Sequence, residues 1–310
     1  MDSTKKIVIA GGTGYLGEAL AKYFSKQGME VVIIGRNISQ NSDNQLVKYM
    51  KWDGENLGDW AESLENAEAL INMAGRSVNC RYTEKNKQQI YDSRLKSTAI
   101  LGKAIQNCQK LPQVWLNSSS ATIYRHALDR PMDEIKGEIG SGFSVDVCQK
   151  WEAVFNQAQT PQTRKIVLRT AMVLGKSGGV FPYMQRLVRF GWGGKQGVGN
   201  QFISWIHEID FCQIIQFLIE NEQLDGVFNL SSPDPRPNTE FMRLLRQKMS
   251  FPFALGATEW MVKLGAKIIG SEAELLLKSR RVIPTRLLNL GYQFKFANLE
   301  EGLADLVKKM

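Results

Sequence analysis

The segment Lys6-Ile-Val-Ile-Ala-Gly-Gly-Thr-Gly-Tyr-Leu-Gly17 constrains this chain more than any other stretch. Apolar β-formers run directly into glycines at 11, 14 and 17. A helical pattern then opens with Tyr15, Leu16, Ala19, Leu20 and Phe24, and a second apolar run ends at Val31-Val-Ile-Ile-Gly-Arg36. Strand, glycine-rich turn and helix N-terminus follow in the order a dinucleotide site requires. Gly11 permits the tight turn, Gly14 lets the backbone approach a pyrophosphate, and Gly17 lets the helix pack close to the strand. Thr13, Tyr15 and Leu16 complete the turn, where free N–H groups of the helix attract the anion.

The end of the second strand indicates which dinucleotide is expected. NAD sites place Asp or Glu there, accepting hydrogen bonds from the ribose hydroxyls. This strand ends Gly35-Arg36-Asn37. Arg36 can fork onto a 2′-phosphate, so NADP(H) is the expected cofactor and FAD is disfavoured. A solvated surface arginine after a strand is the alternative.

The chain has 310 residues, 43% hydrophobic and 23% charged, as suits a globular protein with one large α/β domain and a smaller lobe. The net charge of +8 comes without a module or aromatic–basic motif for nucleic acid. Cys80, Cys108, Cys148 and Cys212 form no CxxC pair and only His126 and His207 accompany them, so no metal site is expected. No signal peptide or membrane-length apolar run is visible, and the expectation is a cytoplasmic chain that neither crosses nor anchors in a membrane.

Candidate strands at 6–10, 30–34, 46–51, 69–73, 113–118 and 165–169 alternate with helical stretches near 15–27, 57–65, 83–108 and 144–159. The expected fold class is α/β: a Rossmann-type, doubly wound parallel sheet with a smaller, mostly helical C-terminal substrate lobe. The Rossmann domain is assigned to 1–175 plus a returning segment near 202–230, and the lobe to 176–201 and 231–310. Residues 175–200 hold eight glycines with Phe181, Tyr183, Phe190 and Trp192 between them. Such a stretch reads as a substrate-binding loop, with 176–206 walling an apolar or ring-containing small molecule. Phe202–Ile206 reads as a short strand, Asp210 as the cap of a helix over 211–220, and Leu275, Leu276 and Leu277 as core.

The motifs GGTGYLG (11–17), INMAGRSV (71–78), YDSRLKST (91–98), NSSSATIY (117–124), CQKWE (148–152), VLRTAMVLG (167–175), FISWIHEID (202–210) and RRVIPTRLLNLGYQF (280–294) come in this order. Together they resemble the extended short-chain dehydrogenase/reductases. More narrowly, they resemble the atypical NAD(P)-dependent epimerase-like branch that ends in a conserved domain of unknown function. The resemblance implies that Asn72, Ala74 and Gly75 close the fourth strand beneath the adenine-side ribose and pyrophosphate. It also implies that Asp53 contacts the adenine and that Ser118 to Ser120 lie beside the nicotinamide. Strand-end capping is the alternative for those serines. The superfamily's habit of pairing long helices leaves room for a homodimer through 83–108 and 144–159.

The departure from that pattern lies in the catalytic pair. Typical members carry Tyr-x-x-x-Lys on the helix after the fifth strand, where the ammonium lowers the phenol pKa and holds the nicotinamide ribose. With Glu152 marking the register, those positions hold Ser144 and Cys148. A shifted register pairs Asp146 with Lys150 and keeps the cation but loses the phenol. With no cation visible beside it in sequence, Cys148 is expected to keep a near-normal thiol and act as a small apolar filler. Ser120 and Tyr124 are the remaining catalytic candidates. Tyr124 is either an acid or base turned into the crevice or a structural ring. Two readings follow: an oxidoreductase or epimerase acting on a carbonyl or alcohol carbon, or a non-catalytic NADP(H)-binding sensor.

Overall fold

The computed structural model describes residues 5–38, 44–270 and 272–308, apart from the side chains of Ile269 and Leu275. Its framework is a seven-stranded sheet, every neighbouring pair parallel, in the order β10-β6-β5-β4-β1-β2-β3. The strands are β1 (Lys6–Ala10), β2 (Glu30–Gly35), β3 (Val47–Lys51), β4 (Ala69–Asn72), β5 (Val114–Ser120), β6 (Arg164–Thr170) and β10 (Gly226–Leu230). The main helices around it are α1 (Tyr15–Lys26), α2 (Glu84–Asn107), α3 (Phe143–Gln157) and α5 (Glu208–Glu220).

The apolar runs of the strands form one sheet because both of its faces are covered. Ile7, Ile9, Val31, Ile33, Ala69, Ile71, Val114, Leu116, Ile166 and Leu168 enter one core, with Phe24 of α1 and Phe211 of α5. The alternate residues Val8, Ala10, Val32, Ile34, Leu70, Trp115 and Val167 enter the other, with Leu101 of α2 and Phe155 of α3. The side-chain period of two sends successive residues to opposite faces, so each strand reads as continuously apolar. The strand order reverses between β1 and β4, and open α/β sheets bind ligands beyond the strand ends at such a point.

Beyond β6 the chain departs from simple alternation. Two short pairs form, β7 (Met172–Leu174) with β9 (Trp205–His207), and β8 (Phe202–Ile203) with β11 (Arg236–Pro237). The glycine-rich stretch contains a helix, α4 (Phe181–Arg189). Phe181, Met184 and Val188 of α4 are buried against Phe241 of α6 (Asn238–Lys248) and Leu303 of α10 (Leu299–Val307). Between these lie α7 (Glu259–Ile269), α8 (Glu274–Leu277) and α9 (Thr285–Asn289).

Two local expectations are corrected. The cap of α5 is His207, whose Nδ1 accepts the Ile209 N–H at 3.1 Å. Asp210 lies inside the helix, and its carboxylate accepts the N–H groups of Lys295 and Phe296 at 2.7 and 2.9 Å. Leu276 is exposed rather than core, and the Leu275 side chain lies outside the described residues. Among the described residues the four cysteines form no disulfide, no metal-ligand cluster occurs, and no helix is long and apolar enough to cross a membrane.

Candidate dinucleotide site and the crevice beside it

The three fingerprint glycines are held for three different reasons. Gly11 sits at φ 69°, and a Cβ there would lie 2.5 Å from Ala74 Cα. A Cβ at Gly17 would overlap the Gly12 backbone, so α1 can approach β1 only through glycine. Gly14 is exposed, and nothing in the protein lies within 4 Å of where its Cβ would stand. It is also the N-cap of α1 and offers no side-chain acceptor to the first-turn N–H groups. An open cradle, unmet donors and a helix N-terminus suit a pyrophosphate, so the residues fit a dinucleotide.

The neighbouring candidates divide. Thr13 is half-buried and its methyl faces Gly35, at the end of β2, with Arg36 exposed beyond it. Among the described residues no carboxylate pairs with Arg36. The Tyr15 side chain is already used: its ring lies beneath Gly178 and Gly179, and its hydroxyl donates to Glu208. Burial, followed by that carboxylate, raises its pKa. Leu16 packs on the sheet core. Tyr15 and Leu16 therefore face the cradle with backbone only. Asp53 spends its carboxylate on its own turn, accepting from the N–H groups of Glu55 and Asn56 and from Asn56 Nδ2 at 2.8–2.9 Å. Those bonds hold its pKa down at about 2.

Asn72 is fully buried and acts on the cradle from behind. Its Nδ2 donates to Asn117 at 2.7 Å and Thr98 at 3.0 Å, and its Oδ1 accepts the Ala74 N–H at 3.0 Å. Ala74 is thereby fixed against Gly11, and exposed Gly75 follows.

At the end of β5 the serines take the capping and packing alternative. Ser118 is buried with its hydroxyl 2.9 Å from Met73 Sδ, and Ser119 donates to Glu152 at 2.6 Å. Ser120 caps a single 3-10 turn, accepting the Thr122 N–H at 3.2 Å. Tyr124 is corrected as a crevice acid. Its side chain is 1% exposed, packed in a core cluster with Ile123, Met132 and Val145 rather than turned into the crevice. Its hydroxyl donates to Asn229 at 2.9 Å and accepts from Arg169 at 3.0 Å, and Arg169 in turn grips Glu152 with two bonds of 2.9 and 2.7 Å.

The helix register resolves in the same way. Asp146 and Lys150 pair at 2.8 Å on the exposed side of α3, with the Tyr91 hydroxyl donating to Asp146. They do not form a second dyad. Cys148 is buried, 5% exposed, and its thiol is pushed up to about 11 by burial and then by Glu152, with Arg94 and Arg169 opposing. This corrects the near-normal thiol, because burial and Glu152 outweigh the cations that α2 and β6 bring. Ser144 lies 3.4 Å from the Tyr82 hydroxyl.

Three residues near this crevice carried no assigned role in the sequence. Tyr82 precedes α2, with its ring edge against Phe143 at 4.6 Å. Arg94 is half-buried, bonded by Nη1 to the carbonyls of Arg76 and Ile90 at 3.0 and 3.2 Å, and stacked over Trp151 at 5.1 Å. Arg280 from the C-terminal segment has a buried Nε with no partner among the described residues, and burial lowers its pKa. The expected aromatic walls are only partly realised, since Phe181 is core while Tyr183, Phe190 and Trp192 face solvent.

Residues 7–231 match the model of the NAD dependent epimerase/dehydratase family, and 257–306 match a domain of unknown function, DUF1731. An epimerase family protein of Staphylococcus aureus is 32% identical over 306 residues, covering 98% of this chain and 100% of the relative. The epimerase family protein YfhF of Bacillus subtilis is 29% identical, covering 97% of each. Among solved structures, the human epimerase family protein SDR39U1 (isoform 2) with NADPH superposes with a TM-score of 0.86 at 28% identity, covering 98% of this chain and 100% of that one. The UDP-N-acetylglucosamine 4-epimerase of Bacillus cereus superposes with a TM-score of 0.76 at 16% identity, covering 98% of both chains, which is a likeness of fold. The family model over 7–231 and the relative at 32% identity over nearly the whole length show that the chain belongs to the NAD-dependent epimerase/dehydratase family.

Proposed function

We propose that this protein binds NADP(H) and is an atypical extended short-chain dehydrogenase/reductase. It would move hydride between the nicotinamide and a carbonyl or alcohol carbon of a small molecule, as a reductase or within an oxidation–reduction epimerase cycle. The observation that carries the cofactor preference is the end of β2, where exposed Arg36 stands in place of a carboxylate. A guanidinium there attracts a 2′-phosphate, while a carboxylate would repel it. The relative solved with NADPH supports the same reading. When bound, the dinucleotide supplies the hydride chemistry, and the chain supplies binding and orientation. Gly14 and the first turn of α1 would hold the pyrophosphate, and Arg36 the 2′-phosphate. Ala74 and Gly75 would line the ribose side.

A second reading, a non-catalytic NADP(H) sensor, is favoured by Ser144 and Cys148 in the dyad positions and by the engaged hydroxyl of Tyr124. Titration of the parent and of Arg36→Asp with NADPH and NADH tests the cofactor assignment common to both readings. Losing one charge-assisted contact and adding a repulsion should weaken NADPH by about 2–4 kcal/mol, with NADH much less affected. Equal weakening of the two cofactors would remove Arg36 from the 2′-phosphate. A screen of carbonyl compounds for NADPH oxidation then separates enzyme from sensor.

A further inference from the structure

Ser144 and Cys148 stand one helical turn apart on α3, which meets the carboxyl end of β5 where the Ser119 hydroxyl donates to Glu152 at 2.6 Å. Neither side chain is a phenol or a cation, yet one of each arrives from another element. The Tyr82 hydroxyl lies 3.4 Å from Ser144 Oγ. The Arg94 guanidinium stacks over the ring of Trp151, which stands on α3 three residues after Cys148. It also presses on the Gly75 backbone so closely that a Cβ there would stand 3.1 Å from its Cζ.

We propose that Tyr82 and Arg94, both carried by the segment between β4 and the middle of α2, take the place of the missing pair. Arg94 holds the hydroxyls of the nicotinamide-side ribose, and Tyr82 exchanges a proton with the substrate oxygen. This rests on the enzyme reading above.

The placement suits both tasks. The single bond of Tyr82 Oη, to Ser144, is long, so the hydroxyl keeps capacity for a substrate oxygen. Arg94 Nη1 donates to two carbonyls, and among the described residues Nε and Nη2 meet no acceptor and no carboxylate pairs with the guanidinium. Burial, with Glu274 and Glu272 nearby, raises the Tyr82 pKa, so a cation brought by α2 is what the phenol needs to favour its phenolate, as an ammonium would. The segment is also anchored, since the Tyr82 N–H donates to Glu272 at 2.9 Å and Arg81 donates to the Lys267 carbonyl at 2.7 Å. The dinucleotide, its nicotinamide-side ribose held by Arg94, would supply the hydride to the carbonyl carbon when bound. Tyr82 gives its Oη proton to the carbonyl oxygen, and the phenolate left beside Arg94 recovers a proton from water. One carbonyl, one hydride and one proton thus make one alcohol, and oxidation runs the same transfers backwards.

Two binding probes test Arg94: NADPH, and adenosine 2′,5′-bisphosphate, which has the 2′-phosphate but no nicotinamide ribose. Arg94→Met should weaken NADPH by about tenfold or more and leave the bisphosphate within about twofold. Adding Cys148→Lys to that variant should recover most of the loss by returning a cation from α3, whereas Arg36→Asp should weaken both probes. If Arg94→Met weakens both probes equally, or neither, or is not rescued by the lysine, Arg94 is structural and the proposal fails. Tyr82 is read by phenolate absorbance, as the difference between the parent and Tyr82→Phe with and without NADP+. The Tyr82 phenol should titrate lower with NADP+ bound, and Arg94→Met should remove that shift. A Tyr82 titration indifferent to NADP+ would overturn the proton-transfer role. A parent that binds neither probe would overturn the cofactor reading itself.

Discussion

Replacing Arg169 with methionine would test what fixes α3 against the sheet behind the crevice. Arg169 gives Nε and Nη2 to the two oxygens of Glu152, at 2.9 and 2.7 Å, and Nη1 to Tyr124 at 3.0 Å. Both ionised side chains are about nine-tenths buried. Methionine keeps much of the aliphatic volume and removes every donor. Glu152 would retain only the Ser119 hydroxyl, and Tyr124 only Asn229. Removing one partner of a buried pair costs about 3–5 kcal/mol, because the remaining charge is left uncompensated. The lost bond to neutral Tyr124 adds about 1 kcal/mol. Urea unfolding should therefore show a loss of about 4–6 kcal/mol, a large part of the roughly 5–15 kcal/mol that holds a typical domain together. Adding Glu152→Met removes the stranded charge and should return most of the loss. A single variant within about 1 kcal/mol of the parent, or a double variant no more stable than the single one, would refute the idea that this pair anchors α3.

Gly14→Val should fold normally, since φ −90° and ψ 168° suit valine and its Cβ meets nothing, yet it should lose dinucleotide binding because the isopropyl group fills the anion's space. Normal NADPH binding by a folded variant, checked by circular dichroism and titration, would reduce the fingerprint to a turn. Burial lowers the His207 pKa from 6.5 to about 4. The unfolded chain then takes up the proton first, so the contribution is intact above about pH 6.5 and is lost as pH falls towards 4, by about 2 kcal/mol at pH 5. His207→Asn keeps a helix-capping acceptor without the titration, so its urea midpoint should fall less than the parent's between about pH 7 and pH 5. An equal fall would clear His207 of the effect.

The sheet was legible because its cause is local. The six strands expected from the apolar runs are β1 to β6, and the glycine turn needs only residues 11–17 to explain it. What stayed hidden depends on partners far along the chain. Tyr124 turns inward because its hydroxyl donates to Asn229 and accepts from Arg169, and no spacing near residue 124 reveals that. Asp210 looked like a cap because aspartate favours helix starts, but Lys295 and Phe296 draw it into the helix body. The α4 pattern of Phe181, Met184 and Val188 was present, though the glycines on either side masked it. Arg94 was within reach of pattern reading: it sits one turn from buried Ile90 and one turn from buried Thr98, on the inward stripe of α2, where an arginine needs a reason. Tyr82 was not, because its place is set by Phe143, Ser144 and Glu272. A Tyr-x-x-x-Lys motif records a phenol and a cation only when one helix carries both. Proton transfer requires the two groups at two points in space, from whatever elements reach them. Reading Ser144 and Cys148 in the motif's positions therefore excludes the groups from α3, and says nothing about the crevice.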